Sequence, residues 1–223
     1  MPIKMKLVNL ECGVAYDYCV YYKSGNDVVK GQRFHFNTDP LPKYAVDLGL
    51  PNDLLWADRN LNSDDPYTAG GNYAWAETAP KDLFSINNCK YLIQMSFVAP
   101  YDVSKYTIED KRYNRTWYND KKEFIGDGKV RLDPEDDAAH VNWGGNWRMP
   151  TVAELDELEN NCTWTWTQKN GINGYEVKGT NGNTIFLPAS GYRDGSSLNL
   201  VGSYGYCWFL SLHESYSDYA YIL

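Results

Sequence analysis

The chain lacks any long apolar run. No window of its 223 residues approaches the ~18 continuous apolar residues of a membrane-spanning helix, so membrane insertion is not expected. Its first ten residues hold no apolar stretch ahead of a small-residue cleavage site, the mark of a secretory leader. Positive charge is also scarce: 21 Lys+Arg stand against 29 Asp+Glu, a formal net charge of −8. Sequence-independent binding to nucleic acid needs the opposite balance, so nucleic acid is not an expected partner. Cys12, Cys19, Cys89, Cys162 and Cys207 are odd in number, irregularly spaced and without a Cys-x-x-Cys pair, which excludes a structural zinc site of the usual spacing. Scattered buried thiols are the expectation and a disulfide framework the alternative. His35, His140 and His213 are far apart, and no His-Glu-x-x-His, Gly-x-Ser-x-Gly or Walker sequence occurs.

Aromatic residues are plentiful, with 19 Tyr and 8 Trp in a chain that is 43% hydrophobic and 22% charged. That balance supports a folded core in one or two domains. Tyr and Trp give large contact areas with few rotors, so the excess favours binding.

Residues 1–38 read as strands. Tyr16, Tyr18, Val20 and Tyr22 share one side of a period-two run, Ser24-Gly25-Asn26-Asp27 is turn chemistry, and Phe34 and Phe36 alternate with Arg33 and His35. This pattern predicts a hairpin. Asp39-Pro40-Leu41-Pro42 opens a stiff linker over 39–44. A second domain, 45–223, begins with two short strands around Pro51. Irregular, charge-rich chain follows over 83–131 and reads as surface loop. Asp133-Pro134 predicts a short helix through Ala139, with Asp133 as N-cap. Thr151-x-x-Glu154 is a capping box, and Val152, Leu155 and Leu158 predict a core-facing helix to about Asn160. Thr163–Thr167 then alternates with Trp164 and Trp166. Turn pairs at Asn170-Gly171, Asn173-Gly174 and Asn181-Gly182 make 163–188 a β-meander.

Several ordered motifs together resemble one family. Trp143-Gly144-Gly145-Asn146-Trp147-Arg148-Met149-Pro150-Thr151 with Glu154-Leu155 resembles the central signature of surface-associated domains of gut anaerobes, the major paralogous domain type. Val46–Pro51, Gly71–Thr78, Asn161–Trp166 and Ile185–Arg193 fit the same pattern, so the resemblance spans about 45–208. It implies an α+β, C-type-lectin-like fold of short helices, twisted antiparallel sheets and long loops, related to formylglycine-generating enzyme. Leu10–Tyr16 resembles the tyrosine corner of fibronectin type III modules, with Cys12 in place of the usual Pro. Residues 1–38 would then be the last third of such a module. A lone hairpin is marginal in water, which predicts that more of it precedes Met1. The family pattern closes with a further strand, which the resemblance implies is missing after Leu223.

The signature region admits two readings. Trp143 and Trp147 could form an aromatic sugar platform, or they could be core, with Arg148 as a buried hydrogen-bond hub. The second is expected. Trp164 and Trp166 are likewise expected to pack inward. The acidic residues from Asp133 to Glu159 are expected to form a solvated face rather than the facing pair of a glycosidase. Asn60-x-Asn62-x-Asp64 lacks the glycine and distal glutamate of a calcium loop. The calcium triads of C-type lectins are absent, so no metal and no cofactor is expected. Formylglycine-generating enzyme uses two neighbouring cysteines late in its domain, where this chain has only Cys207.

The Tyr-rich segment from Leu198 onward is the expected ligand surface. Gly202, Ser203, Gly205, Trp208 and Ser211 look like scaffold. Between them lie the candidate binding residues Leu200, Tyr206, Phe209, Leu210, His213, Tyr216, Asp218, Tyr219 and Tyr221, with Cys207 of the same type. Tyr, Asp, His, Leu, Phe and Cys codons all arise from an Asn codon by changing adenines alone. The segment therefore resembles the variable regions that diversity-generating retroelements rewrite, and chemically a paratope. The alternative is an ordinary Tyr-rich surface strand. The resulting expectation is a non-enzymatic cell-surface or extracellular adhesion module of a bacterial protein, with a protein or glycan partner. An enzyme of the formylglycine-generating type and a purely structural repeat are the alternatives.

Overall fold

A computed structural model describes residues 7, 10, 12–94, 102–109, 117–213 and 216–222, and excludes the side chains of residues 86, 93, 94 and 216–222. The chain divides into two compact units, Met1–Ala45 and Val46–Leu223.

In the first unit, β1 (Ala15–Ser24) and β2 (Asp27–Asn37) pair antiparallel about a two-residue turn at Gly25-Asn26. Gly25 takes φ +62°, which glycine adopts without strain. Tyr16 stacks on Phe36 and Tyr18 on Phe34, so the predicted alternation sets the register. An irregularity between Cys19 and Tyr21 shifts the pairing toward the tip.

The second unit is β-rich, with small antiparallel sheets and two α-helices among the described residues. β3 (Ala45–Asp47) pairs with β4 (Leu55–Ala57), the two short strands expected around Pro51. β5 (Leu92–Gln94) pairs with β6 (Asp102–Val103). Helix α1 (Ala138–Trp143) follows a 3-10 turn at Pro134–Asp136. Its N-cap is Asp137, whose carboxylate accepts from the Ala139 and His140 amides. The sequence placed the cap at Asp133, where proline opens only the 3-10 turn. Helix α2 (Val152–Asn161) has the expected capping box, and Leu155 and Leu158 are buried.

β7 (Thr163–Lys169), β8 (Ile172–Lys178) and β9 (Thr184–Pro188) form the meander. Asn173-Gly174 is not a turn but lies inside β8. A Cβ on Gly174 would sit 2.3 Å from the Leu187 carbonyl oxygen, so the glycine serves close strand contact. Trp164 packs against the core, whereas Trp166 is 45% exposed and leans edge-on against Tyr175. The inward reading holds for the first tryptophan alone. β10 (Tyr192–Asp194) pairs with β11 (Ser197–Asn199), and β12 (Trp208–His213) with β13 (Tyr216–Ile222).

Two apolar cores organise this unit. Leu48, Leu50, Leu155, Leu158, Val177, Ile185 and Phe209 form the first. Ala76, Tyr106, Ile108, Leu132, Leu210 and Leu212 form the second. Strand β12 serves both, because successive side chains of a strand point to opposite faces. The second core corrects the expectation of surface loop over 83–131: Tyr106, Thr107, Ile108 and Trp117 are all buried. Irregular chain packs there because Asp127 accepts from the amides of Tyr106 and Thr107, replacing ladder bonds.

Candidate functional site

A cavity of about 390 Å³ lies where the Trp143–Pro150 signature meets the chain around Tyr206. That volume falls in the roughly 300–1,000 Å³ class of small-ligand sites. One wall is the loop after α1, where Trp143 and Trp147 meet edge to face at 5.2 Å. Gly144 and Gly145 both take positive φ, which turns the backbone tightly between the two indoles. Tyr192 and Tyr206, also in the lining, meet edge to face at 5.3 Å. Trp208 joins them, with its indole N–H donating to the Tyr73 carbonyl at 2.9 Å.

Charge in the walls is matched throughout. Arg148 grips both carboxylate oxygens of Glu154. The guanidinium holds the Glu154 carboxyl down to about 2. Arg59 makes two bonds to Asp58, and Arg193 pairs with Asp82 at 3.1 Å. Burial pushes the Cys207 thiol up to about 11. Burial also raises Tyr73, whose hydroxyl is sealed from solvent without a hydrogen-bond partner. Trp56 Nε1 and Arg193 Nε are unpartnered in the same way.

The sequence-predicted binding residues separate into groups. Tyr206 lies in the cavity wall and is half-buried. Leu200 is exposed at φ +57°, and His213 is half-buried at the end of β12. Phe209 is 3% exposed and Leu210 is 9% exposed, each in a different core, so neither belongs to an exposed patch, although Phe209 also lines the cavity. The alternation of β12 between two packed faces is the reason. The side chains of Tyr216, Asp218, Tyr219 and Tyr221 lie outside the described residues. Trp208 is half-buried, and a Cβ on Gly205 would sit 2.7 Å from the Pro188 carbonyl oxygen, as scaffold positions require.

Sequence reasoning placed Trp143 and Trp147 in the core, but they line the cavity half-buried. Arg148 is an exposed partner of Glu154 rather than a buried hub. Of the cysteines, Cys12 and Cys89 are exposed, contrary to the buried-thiol expectation, and all five are free.

The acidic run is a solvated face only in part: Glu135, Asp156 and Glu159 are exposed, but Asp136 and Asp137 are buried. Asp136 is fully buried, its carboxylate accepting from Lys90, Lys105, Tyr91 and Tyr106 at 2.5–2.6 Å. Burial opposes its ionisation, yet these donors together hold the carboxyl well below the usual range. Asp133, Glu135 and Asp136 can bring oxygens within 4.8 Å of one another. Lys90, Lys105 and Lys129 already neutralise that group, so its charge is spent within the protein. Among the described residues no helix is long and apolar enough to cross a membrane.

Comparison with protein-family models, curated proteins and solved structures finds no match for this chain.

Proposed function

We propose that this chain is a non-enzymatic binding module of a bacterial surface protein. In this reading Val46–Leu223 is a C-type-lectin-like domain, and the β1–β2 hairpin belongs to a fibronectin-type spacer. The aromatic-walled cavity carries the reading. It joins the family-like signature to the Tyr-rich segment, and concave aromatic sites with a few polar groups are the usual form of a ligand site.

The chemistry of the walls favours binding over catalysis. Glu154 is the one carboxylate of the lining among the described residues, and Arg148 and the Thr151 amide hold it ionised. A general acid needs the opposite shift. Cys207 is driven away from the thiolate that a nucleophile needs. Retroelement diversification of the Tyr-rich segment remains part of the proposal, with Tyr206, Cys207 and Phe209 as its contribution to the cavity. The test is a selection of random phage-displayed peptides and a printed glycan array against the wild-type chain and Trp147→Ala. The reading predicts ligands that the variant loses while keeping its circular dichroism. Ligands indifferent to Trp147 would move the site elsewhere.

A further inference from the structure

The cavity adjoins an exposed apolar rim, and the two together select a partner. The inference rests on the binding reading above. Residues 195–212 hold no Asp, Glu, Lys or Arg, in a chain that is 22% charged. Within that stretch Leu200, Val201 and Tyr204 are exposed, the last two at 58% and 57%. None of the three lines the cavity, but the chain that carries them is bonded to its lining. Tyr204 stacks on Tyr206 at 6.3 Å, and its carbonyl accepts from the Gly191 amide at 2.7 Å. The Leu200 carbonyl accepts from the Tyr204 amide at 3.1 Å. Val201 runs against Gly191, where an added Cβ would sit 2.9 Å from the Val201 nitrogen. The arginines of the lining are matched: Arg59 with Asp58, Arg148 with Glu154 and Arg193 with Asp82. The described lining therefore offers no spare charge to reward a charged ligand.

We propose that the cavity and this rim dock a partner protein, which seats one aromatic side chain in the cavity and lays uncharged chain on Leu200, Val201 and Tyr204. Exposed apolar surface of this kind marks interaction sites, and the centre of a protein interface is depleted in charge and enriched in Tyr, Trp and Phe. The strongest contact of such an interface is commonly an aromatic anchor in a pocket, ringed by contacts that exclude water. The anchor is aromatic because the lining is: Trp143 and Trp147, and Tyr192 and Tyr206, already meet edge to face and can take a further ring in that geometry. A small apolar molecule would fill the cavity and leave the rim bare. A saccharide would stack on the rings but press hydroxyls onto Leu200 and Val201, whose side chains return no hydrogen bond.

The test uses the full chain and a random library of disulfide-closed peptide loops displayed on phage, with a printed glycan array beside it. Loops that bind wild type and not Trp147→Ala are synthesised and scanned with alanine. The expected result is that each depends on one Trp, Tyr or Phe, whose replacement weakens binding by about tenfold or more. A rim variant carrying both Val201→Asp and Tyr204→Asp should also weaken binding by about tenfold or more, with its circular dichroism unchanged because both sites are exposed. Tyr206→Ala stands in for Trp147→Ala if that variant fails to fold. Loops anchored by any side chain other than an aromatic one overturn the proposal, as do loops that bind the rim variant as tightly as wild type. So do glycans lost in Trp147→Ala with no loop that behaves this way, an outcome that leaves the binding-module reading standing. If neither loop nor glycan depends on Trp147 or Tyr206, both fall.

Discussion

The indole N–H of Trp208 donates to the carbonyl of Tyr73 at 2.9 Å, and the indole of Trp75 returns the link by donating to the carbonyl of Phe209 at 2.8 Å. These two bonds stitch the 73–75 loop to β12 across more than a hundred residues of chain. Trp208→Phe keeps most of the ring but strands the Tyr73 carbonyl, which should cost about 1–3 kcal/mol. Trp208→Ala should cost on the order of 3–5 kcal/mol. Urea unfolding of the two variants checks the order, and a Phe variant as stable as wild type would show that the indole bond carries no weight.

The capping box of α2 should respond to acid. The Glu154 carboxyl ionises at about 2 in the folded chain, against an ordinary 4.5. A depressed pKa contributes stability that is complete above the unfolded value and is lost as pH falls through the folded one. Wild type should therefore lose stability between about 4.5 and 2 with a steeper slope than Glu154→Gln. Thr151→Ala should cost about 1 kcal/mol at neutral pH, the usual value of a lost N-cap. Parallel slopes for wild type and Glu154→Gln would contradict the pairing with Arg148.

Asp136 should be among the least tolerant polar positions. Asp136→Asn leaves Lys90 and Lys105 without their shared carboxylate beside Tyr91 and Tyr106. Breaking a buried ion pair from one side costs about 3–5 kcal/mol. The native carboxyl lies well below the usual range, so this contribution persists at neutral pH and fades in strong acid. Calorimetry at neutral pH should show the largest melting-point loss for this variant among single carboxylate-to-amide changes.

Two positive-φ glycines, one between the cavity's Trp143 and Trp147 and one in its lining, should behave differently. Gly145 has φ +57° and open space around a new Cβ, so Gly145→Ala should cost only the left-handed penalty of about 1–2 kcal/mol. Gly191 has φ +70° and would place a Cβ 2.0 Å from the Asn199 carbonyl oxygen. It also bridges Gly205 in the wall that carries Tyr206. Gly191→Ala should cost more than Gly145→Ala in chemical denaturation; equal costs would contradict the close packing of that wall.

The parts written in local sequence were legible. The capping box with Leu155 and Leu158 located α2, and alternation with Asn170-Gly171 located the meander. Long-range packing was not legible. Nothing near Asp136 announces that Lys90 and Lys105 arrive to neutralise it, so it read as solvated. Tyr106 and Ile108 sit in irregular chain whose bonds run to Asp127, so they read as loop. Phe209 and Leu210 are adjacent on one strand, and only the presence of a core on each side buries both. Trp143 and Trp147 stood out in the sequence, but whether two indoles fill a core or line a cavity depends on distant chain, here including Tyr192 and Tyr206 of the same lining.

The most direct test of the cavity as the ligand site is the set of indole N–H resonances from the eight tryptophans. The chain is titrated with a peptide selected from the random library, and the resonances are assigned by single Trp→Phe variants. The account predicts shifts at Trp143 and Trp147, with Trp117 in its buried position and Trp166 on the open face of β7 unmoved. Shifts centred on Trp166, with Trp143 and Trp147 stationary, would contradict it.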